Sequence, residues 1–281
     1  MKIYALYNPY SGNHTGETRA KTLTNFYEGK ELVFVDMTKV EDYAALVAEI
    51  SKEDEIVVCG GDGTLNVFIN AVKGLKIEQT VLYYACGSGN DFLRDIGDND
   101  GKPVRINGYL QDLPKVTVKG KEYAFLNAVG YGIDGYCCEV GDKLRAEKPG
   151  EKIDYTGIAI KGLLFYYKPV SATVTVDGKE YRFKKVWLAP TMNGRFYGGG
   201  MLPAPQQRRE DKHLSVMLFH GSRKLKSLIM FPSIFKGEHV KYTKNVTVLE
   251  GNEITVKYDE PRSLQIDGEA FLEVTEYTAR K

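Results

Sequence analysis

The chain has 281 residues, 43% of them apolar and 27% charged, enough to bury the core of one large domain or two ordinary ones. A net charge of +1 provides no global field for nucleic acid. Cys59, Cys86, Cys137 and Cys138 lack zinc-ligand spacing, and the adjacent pair is poorly placed to bridge to itself. The most apolar stretches, Ile158–Tyr167 and Leu228–Phe235, are too short to cross a bilayer. Met1-Lys2 leads directly into a strand-like run rather than a leader, so a cytoplasmic protein with reduced thiols is expected.

Residues 1–112 alternate strand and helix. Ile3–Tyr7 reads as a first strand, followed by Asn8-Pro9-Tyr10-Ser11-Gly12, a turn whose amide and hydroxyl groups suit phosphate. A helical segment over Gly16–Tyr27 precedes a second strand, Leu32–Val35. Thr38 then stands before Tyr43, Leu46, Val47 and Ile50 at helical spacing. Ile56–Cys59 is an apolar, β-branched run of the kind that forms a buried parallel strand. The Gly60-Gly61-Asp62-Gly63 turn after it is expected to use positive φ, with Thr64 capping a helix whose apolar positions are Leu65, Phe68, Ile69 and Val72. Strand, glycine turn and helix N-terminus together present free N–H groups to an anion. Nothing nearby in sequence neutralises Asp62. A carboxylate beside a phosphate cradle implies Mg²⁺ or a proton to be moved; the plainer alternative is an Asp that caps the helix. Val81–Ala85 is a further strand, ended by Cys86-Gly87-Ser88-Gly89-Asn90-Asp91. Such alternation predicts right-handed βαβ crossovers, a parallel sheet and a ligand beyond the C-terminal strand ends, where all these turns lie.

From about Leu113 the character changes. Val116–Val118, Tyr123–Leu126, Ala172–Val176, Tyr181–Leu188, Leu214–Leu218, Val246–Leu249, Ile254–Tyr258 and Leu264–Ile266 read as short strands of an antiparallel sandwich or open barrel. Helical patterns interrupt them at Gly135–Arg145, Asp154–Tyr167 and Ser222–Phe235. The expected fold is therefore a three-layer α/β nucleotide-binding domain with a parallel sheet over 1–113, then an antiparallel β-sandwich with inserted helices over 114–281. The last few residues are allowed to return to the first domain. The late Asp267-Gly268-Glu269 tip is by itself an ordinary hairpin turn; facing Asp62, it would complete a cluster of three carboxylates.

Taken in order, Asn8–Gly12, Gly60–Asn66, Gly87-Ser88-Gly89-Asn90-Asp91-Phe92 and Ile266-Asp267-Gly268-Glu269 resemble the diacylglycerol kinase catalytic domain family, bacterial lipid kinases related to sphingosine kinases above all. Phe125-Leu126-Asn127 through Gly130, Gly132 and Asp134, and Gly198–Met201 with Pro203-Ala204-Pro205, resemble landmarks of its β-domain. The resemblance covers nearly the whole chain. It implies an ATP- and Mg²⁺-dependent kinase phosphorylating a lipid hydroxyl, diacylglycerol or a sphingoid-like lipid, in an interdomain cleft. By the same resemblance Asn8, Pro9, Ser11, Gly12, Thr38, Gly60, Gly61, Asp62, Gly63, Thr64, Asn66, Ser88, Asn90 and Asp91 match nucleotide-binding positions. Asp62 matches the aspartate near the Mg²⁺–ATP phosphates, and the general base is drawn from Asp267, Glu269 or Asp62.

Three positions depart from the family pattern. Val67 stands where Glu is usual, Ala71 replaces a Gly, and the segment Gln206–Val216 keeps only Asp211 of an Asp-Gly-x-Leu-Asp pattern that holds a structural Mg²⁺ in relatives. Lys212 and Ser215 occupy two of those places, so the structural metal is expected to be lost and its charge replaced by Lys212, Arg208 or Arg209. Arg223, Lys224 and Lys226 ahead of an apolar stripe suit an anionic membrane surface, and Leu163–Tyr167 suit an acyl pocket; packed helices are the plainer alternative for both. An exposed strand edge in the β-domain would allow a homodimer. Rival functions are an NAD kinase, which shares the Gly-Gly-Asp-Gly-Thr turn, and a non-catalytic nucleotide- or lipid-binding relative.

Overall fold

The computed structural model describes residues 1–87, 89–97, 100–148, 151 and 153–281, with the side chains of Asn13 and Thr156 left out. It divides into two compact units, Met1–Leu113 and Pro114–Lys281.

The first unit runs β1 (Lys2–Tyr7), α1 (Ser11–His14), α2 (Gly16–Lys21), β2 (Glu31–Asp36), α3 (Tyr43–Glu49), β3 (Glu55–Gly60), α4 (Asp62–Ala71), β4 (Thr80–Ala85), α5 (Asp91–Ile96), β5 (Val104–Arg105) and α6 (Asn107–Leu110). Its sheet has the order β2-β1-β3-β4-β5. The first four strands are parallel, as the alternation predicts; β5 is an antiparallel edge on β4 that the sequence pattern did not reveal, being only two residues long. Ile56, Val57, Val58 and Cys59 are wholly buried because helices cover both faces. Val57 and Cys59 join Ile3, Ala5, Ala20 and Leu23 in one core, and α4 brings Leu65, Phe68 and Ile69 inward. The helix expected over Gly16–Tyr27 is shorter, giving way to a 3₁₀ turn at Thr22–Asn25.

Registry makes the strand ends level: Tyr7 lies opposite Asp36 and Cys59, and Gly60 opposite Ala85. The turns after β1, β2, β3 and β4 therefore leave one edge of the sheet. The strand order reverses direction between β1 and β3, the switch point at which open α/β sheets bind ligands.

The second unit adds β6 (Lys115–Val118), β7 (Lys121–Ala124), β8 (Ala128–Gly132), α7 (Ile133–Glu147), α8 (Tyr155–Lys161), β9 (Val170–Val176), β10 (Lys179–Val186), β11 (Leu188–Met192), β12 (Leu214–Phe219), α9 (Lys224–Met230), β13 (Val246–Gly251), β14 (Glu253–Ile266) and β15 (Glu269–Arg280). A π-turn, Gly162–Tyr166, follows α8, and a 3₁₀ turn, Phe231–Lys236, follows α9. The strands form an antiparallel sheet of order β13-β12-β11-β8-β14-β15-β6-β7, with β9 attached to β14 and β10 to β9. Along β14 the partner changes from β9, at Ile254–Tyr258, to β8, at Leu264–Ile266, across a break in register. That change folds the sheet into a sandwich around Val116, Val129, Tyr131, Val174, Val216 and Val256. A second core beneath α7, α8 and α9 holds Ile133, Leu163, Trp187, Met217 and Met230.

Three strands lie where none was expected: β8, β11 and most of β15. Strand β15 pairs with β14 and β6 as far as Arg280, and the second unit runs to Lys281. Helix α7 crosses β14 so closely that a Cβ on Gly135 would lie 2.0 Å from the Ser263 carbonyl oxygen, a backbone atom with no room to yield. Gly135→Ala should therefore lower unfolding free energy by about 3 kcal/mol, the upper range for overpacking. Denaturant midpoints check this; an unchanged midpoint would mean that α7 sits more loosely than described.

Candidate active site

In the first unit the turns after β1, β3 and β4 are tied together by backbone. The Gly60 carbonyl accepts from the N–H of Cys86 (2.8 Å) and Gly87 (3.0 Å) and from the Tyr83 hydroxyl (3.1 Å), while Asp62 N–H donates to Gly89 O at 3.0 Å. A Cβ on Gly87 would lie 2.4 Å from Gly61 Cα, so the two turns meet with no space for a side chain. Close approach, not positive φ, is what these glycines supply: neither Gly60, Gly61, Gly63 nor Gly87 is left-handed, contrary to the expectation from sequence. The β1 turn joins through Arg19, whose Nη1 donates to Cys86 O at 3.0 Å. Within it Asn8 Oδ1 accepts from Tyr10 N–H and Ser11 Oγ donates to Asn8 O, so both side chains shape the turn while Pro9 and Gly12 complete it.

Helix α4 starts one turn earlier than expected. Gly61 is its N-cap and Thr64 lies inside it, buried under Gly60, so Thr64 does not cap. Asp62 is not unneutralised: its Oδ2 accepts from Asp91 N–H at 2.7 Å and its Oδ1 from Phe92 N–H at 3.2 Å, capping α5 from outside. Asn90, the N-cap residue of α5, makes no side-chain cap; its Nδ2 reaches Gly87 O instead. With the Asp62 charge directed to α5, the first turn of α4 keeps its own donors. Among the described residues nothing accepts from the N–H groups of Gly63 and Thr64. Asn66 is buried and bonded by Asn70, and Val67 points outward, 45% exposed. Thr38 gives its N–H and its hydroxyl to Asp36, and Ser88 lies outside the described residues.

In the second unit the β14–β15 tip is anchored by Asp267. Its carboxylate accepts from the N–H groups of Leu126 (2.5 Å), Asn127 (2.8 Å) and Ala128 (3.0 Å), and its own N–H donates to Ala128 O. Glu269, two residues on, differs in kind. Among the described residues nothing hydrogen-bonds its carboxylate. The residue as a whole is exposed, yet burial of its carboxyl end against α7 pushes its pKa up, the Asp142 charge adds to this, and Arg145 opposes it.

Asp134 emerges as a candidate beyond the residues chosen from sequence. It opens α7, buried; its Oδ1 accepts from Gly135 N–H, but among the described residues Oδ2 closes no hydrogen bond. Burial raises its pKa to about 6, partly offset by the Gly135 N–H and by the nearby Tyr197 and Gln265. The hydroxyls of Tyr131, Tyr167, Tyr197 and Tyr258 are likewise buried without partners. In sequence this position stood only among the β-domain landmarks, with no site role given to it.

The segment expected to have lost a structural metal is closed by protein cations. Arg208 pairs with Asp211 at 3.0 Å and, against the upward push of burial, holds its pKa below the usual range. Ser215 Oγ bonds Gln207 Oε1 at 2.6 Å. Arg209 donates to Leu126 O and Asn127 Oδ1, and Lys281 Nζ to Asn193 Oδ1 and Arg209 O. Among the described residues Lys212 takes no such role. These groups do not suit a divalent cation, whose oxygen shell would have to displace a guanidinium from the one carboxylate present. Among the described residues no cluster of three His, Cys, Asp or Glu suits a metal.

Residues 2–115 match the family described as Diacylglycerol kinase catalytic domain, and residues 127–278 match YegS C-terminal NAD kinase beta sandwich-like domain. The chain is similar to a diacylglycerol kinase of Mycobacterium tuberculosis (strain CDC 1551 / Oshkosh), 26% identical over 252 residues, covering 85% of this chain and 80% of the relative. It is also similar to a diacylglycerol kinase of Bacillus subtilis (strain 168), 25% identical over 276 residues, covering 94% and 88%. A solved chain from Bacillus anthracis str. Sterne shares the fold, with a TM-score of 0.69 at 19% identity, covering 99% of this chain and 91% of that one.

Two outcomes follow from the second unit. The Asp134 carboxyl binds its proton more tightly folded than unfolded, so its burial costs nothing below its ordinary 3.8 and destabilises increasingly as pH rises to about 6. Asp134→Asn should thus stabilise the protein by up to about 3 kcal/mol at pH 8 and by little at pH 4, read by denaturant titration at both. Crystals grown in Mg²⁺ should show no ion at Asp211; an octahedral oxygen shell there would overturn the cation replacement.

Proposed function

This chain belongs to the bacterial lipid kinases built from a diacylglycerol kinase catalytic domain and a YegS-type β-sandwich, and on that premise we propose that it transfers the γ-phosphate of ATP to a lipid hydroxyl. The observation that carries the reading is the unengaged first turn of α4 at the sheet's switch point. Its Gly63 and Thr64 N–H groups and the positive end of the helix dipole suit phosphate oxygens, and Asp62 does not oppose them because its carboxylate is held by α5. Mg²⁺ enters with ATP as part of the substrate and disperses phosphate charge.

Among the three carboxylates, Glu269 is the one suited to take the proton. Asp62 and Asp267 are occupied by backbone donors, which makes them positioning residues for the turns they hold. As the lipid oxygen bonds to Pγ, the bond from Pγ to the β–γ bridging oxygen breaks, ADP leaves, and the hydroxyl proton passes to the Glu269 carboxylate. A raised pKa makes that carboxylate a stronger base than an ordinary glutamate. Diacylglycerol is the acceptor named for the relatives and is the first to test here. The description of the matching sandwich mentions NAD kinase, which keeps NAD as a second acceptor.

The test is labelled ATP with total lipid extract, diacylglycerol micelles or NAD. Glu269→Gln should lose about 10²–10⁴-fold in kcat/KM with an unchanged melting temperature. Wild-type kcat/KM should rise with pH through a value above the ordinary glutamate range, and the residual activity of the variant should not. Asp62→Asn turns an amide toward one α5 N–H, so it should lower both melting temperature and turnover. Full lipid phosphorylation by Glu269→Gln would remove it as the base. Transfer to NAD alone would replace the lipid reading, and tight ATP binding without transfer to any acceptor would indicate a non-catalytic relative.

A further inference from the structure

We propose that the cleft bounded by the start of α7, the residues after the π-turn and the bend of β14 binds a small organic monoanion, a carboxylate on an aromatic body. The cleft has a volume of about 250 Å³, and Tyr136, Glu139, Tyr166, Tyr167, Lys168 and Arg262 are among its walls. It lies within the second unit and apart from Glu269. Tyr136, Glu139 and Lys143 follow one another at helical spacing along one face of α7. Glu269 meets a different face, where Asp142 and Arg145 act on it and it acts on Cys138. The inference therefore does not rest on the proposed phosphate transfer and survives its failure.

The walls set the chemistry of the ligand. Tyr136 and Tyr167 meet edge to face with ring centroids 6.2 Å apart, and Tyr166 stands at the mouth, 66% exposed. Three tyrosine rings accept a flat apolar body. The charges around them leave one cation in excess. Glu139 is taken up by Lys143 at 2.6 Å and by the Ser263 hydroxyl, and Glu260 by Arg262 at 2.9 Å. Lys168, on the wall, forms no ion pair among the described residues. Asp134 acts on Tyr167 through space but is not part of the wall. One uncompensated cation calls for one negative charge, which a phosphate dianion would exceed.

The inner end of the cleft holds an idle donor. Tyr167 is 4% exposed, and its hydroxyl closes no hydrogen bond among the described residues. Burial raises its pKa, the Asp134 charge adds to this, and Arg262 opposes it. The hydroxyl thus sits at the Arg262 end and keeps a proton to donate. Two of the five N–H groups of Arg262 are engaged, by Pro261 O at 3.0 Å and by Glu260. A carboxylate at this end would accept from a neutral hydroxyl and a guanidinium together, giving a partner to a buried polar atom that lacks one.

The experiment is calorimetric titration of the full chain with benzoate, benzamide, phenyl phosphate and octanoate. Benzoate should bind with a Kd on the order of 1 mM, and its neutral isostere benzamide about tenfold more weakly or worse. Tyr167→Phe removes only the idle hydroxyl, so melting temperature should hold while benzoate affinity falls about tenfold. Lys168→Gln, at an exposed position, should weaken benzoate about threefold with the fold intact. Lys236→Gln, outside the cleft, should change nothing. The proposal is overturned if benzoate does not bind, if benzamide binds equally well, or if both cleft variants keep full affinity. Tighter binding of phenyl phosphate would overturn the monoanion assignment. Binding of octanoate without benzoate would overturn the aromatic one and make the cleft an acyl site.

Discussion

A carboxylate withdrawn from water must gather donors or give up its charge, and both acidic turns of this chain are organised by that requirement. Asp62 collects two N–H groups from the start of α5, and Asp267 collects three from residues 126–128. Each thereby fastens two loops that are distant in sequence, 29 to 30 residues apart in the first case and 139 to 141 in the second. The acidic residues most conspicuous in the sequence are thus fasteners. In the proposed reaction their part is to hold the turns that carry the α4 amides and Glu269.

Two carboxylates with fewer donors among the described residues are perturbed the other way. Asp134 keeps one oxygen unpartnered among tyrosine hydroxyls that are themselves unsatisfied, and burial lifts its pKa to about 6. Glu269 is pushed in the same direction by burial and by Asp142. Costs of this kind are tolerated where function requires them and are seldom tolerated elsewhere. Near Asp211 the opposite solution operates. Arg208 neutralises the carboxylate, while Arg209 donates to the same 126–127 turn whose amides Asp267 accepts, and Lys281 in turn donates to Arg209 O.

Function in the proposed reading divides between backbone and side chain: amides at a helix start would receive phosphate, and the Glu269 carboxylate would receive a proton. No helix among the described residues is long and apolar enough to cross a membrane.

Much of this was legible in the residues themselves. The buried run Ile56–Cys59, the apolar spacing of Leu65, Phe68 and Ile69, and strand-helix alternation determined a parallel α/β unit, because burial on both faces and on one helical stripe each leave a period in the sequence. Strand β8 was hidden by Gly130 and Gly132, and β11 by Pro190, residues that argue against strand locally and are accommodated only by their neighbours. The order of motifs identified the family; no motif could reveal which carboxylate is free. That was decided by tertiary structure alone, because whether Asp62, Asp267, Glu269 or Asp134 finds a donor depends on amides and charges that the fold brings in from elsewhere in the chain.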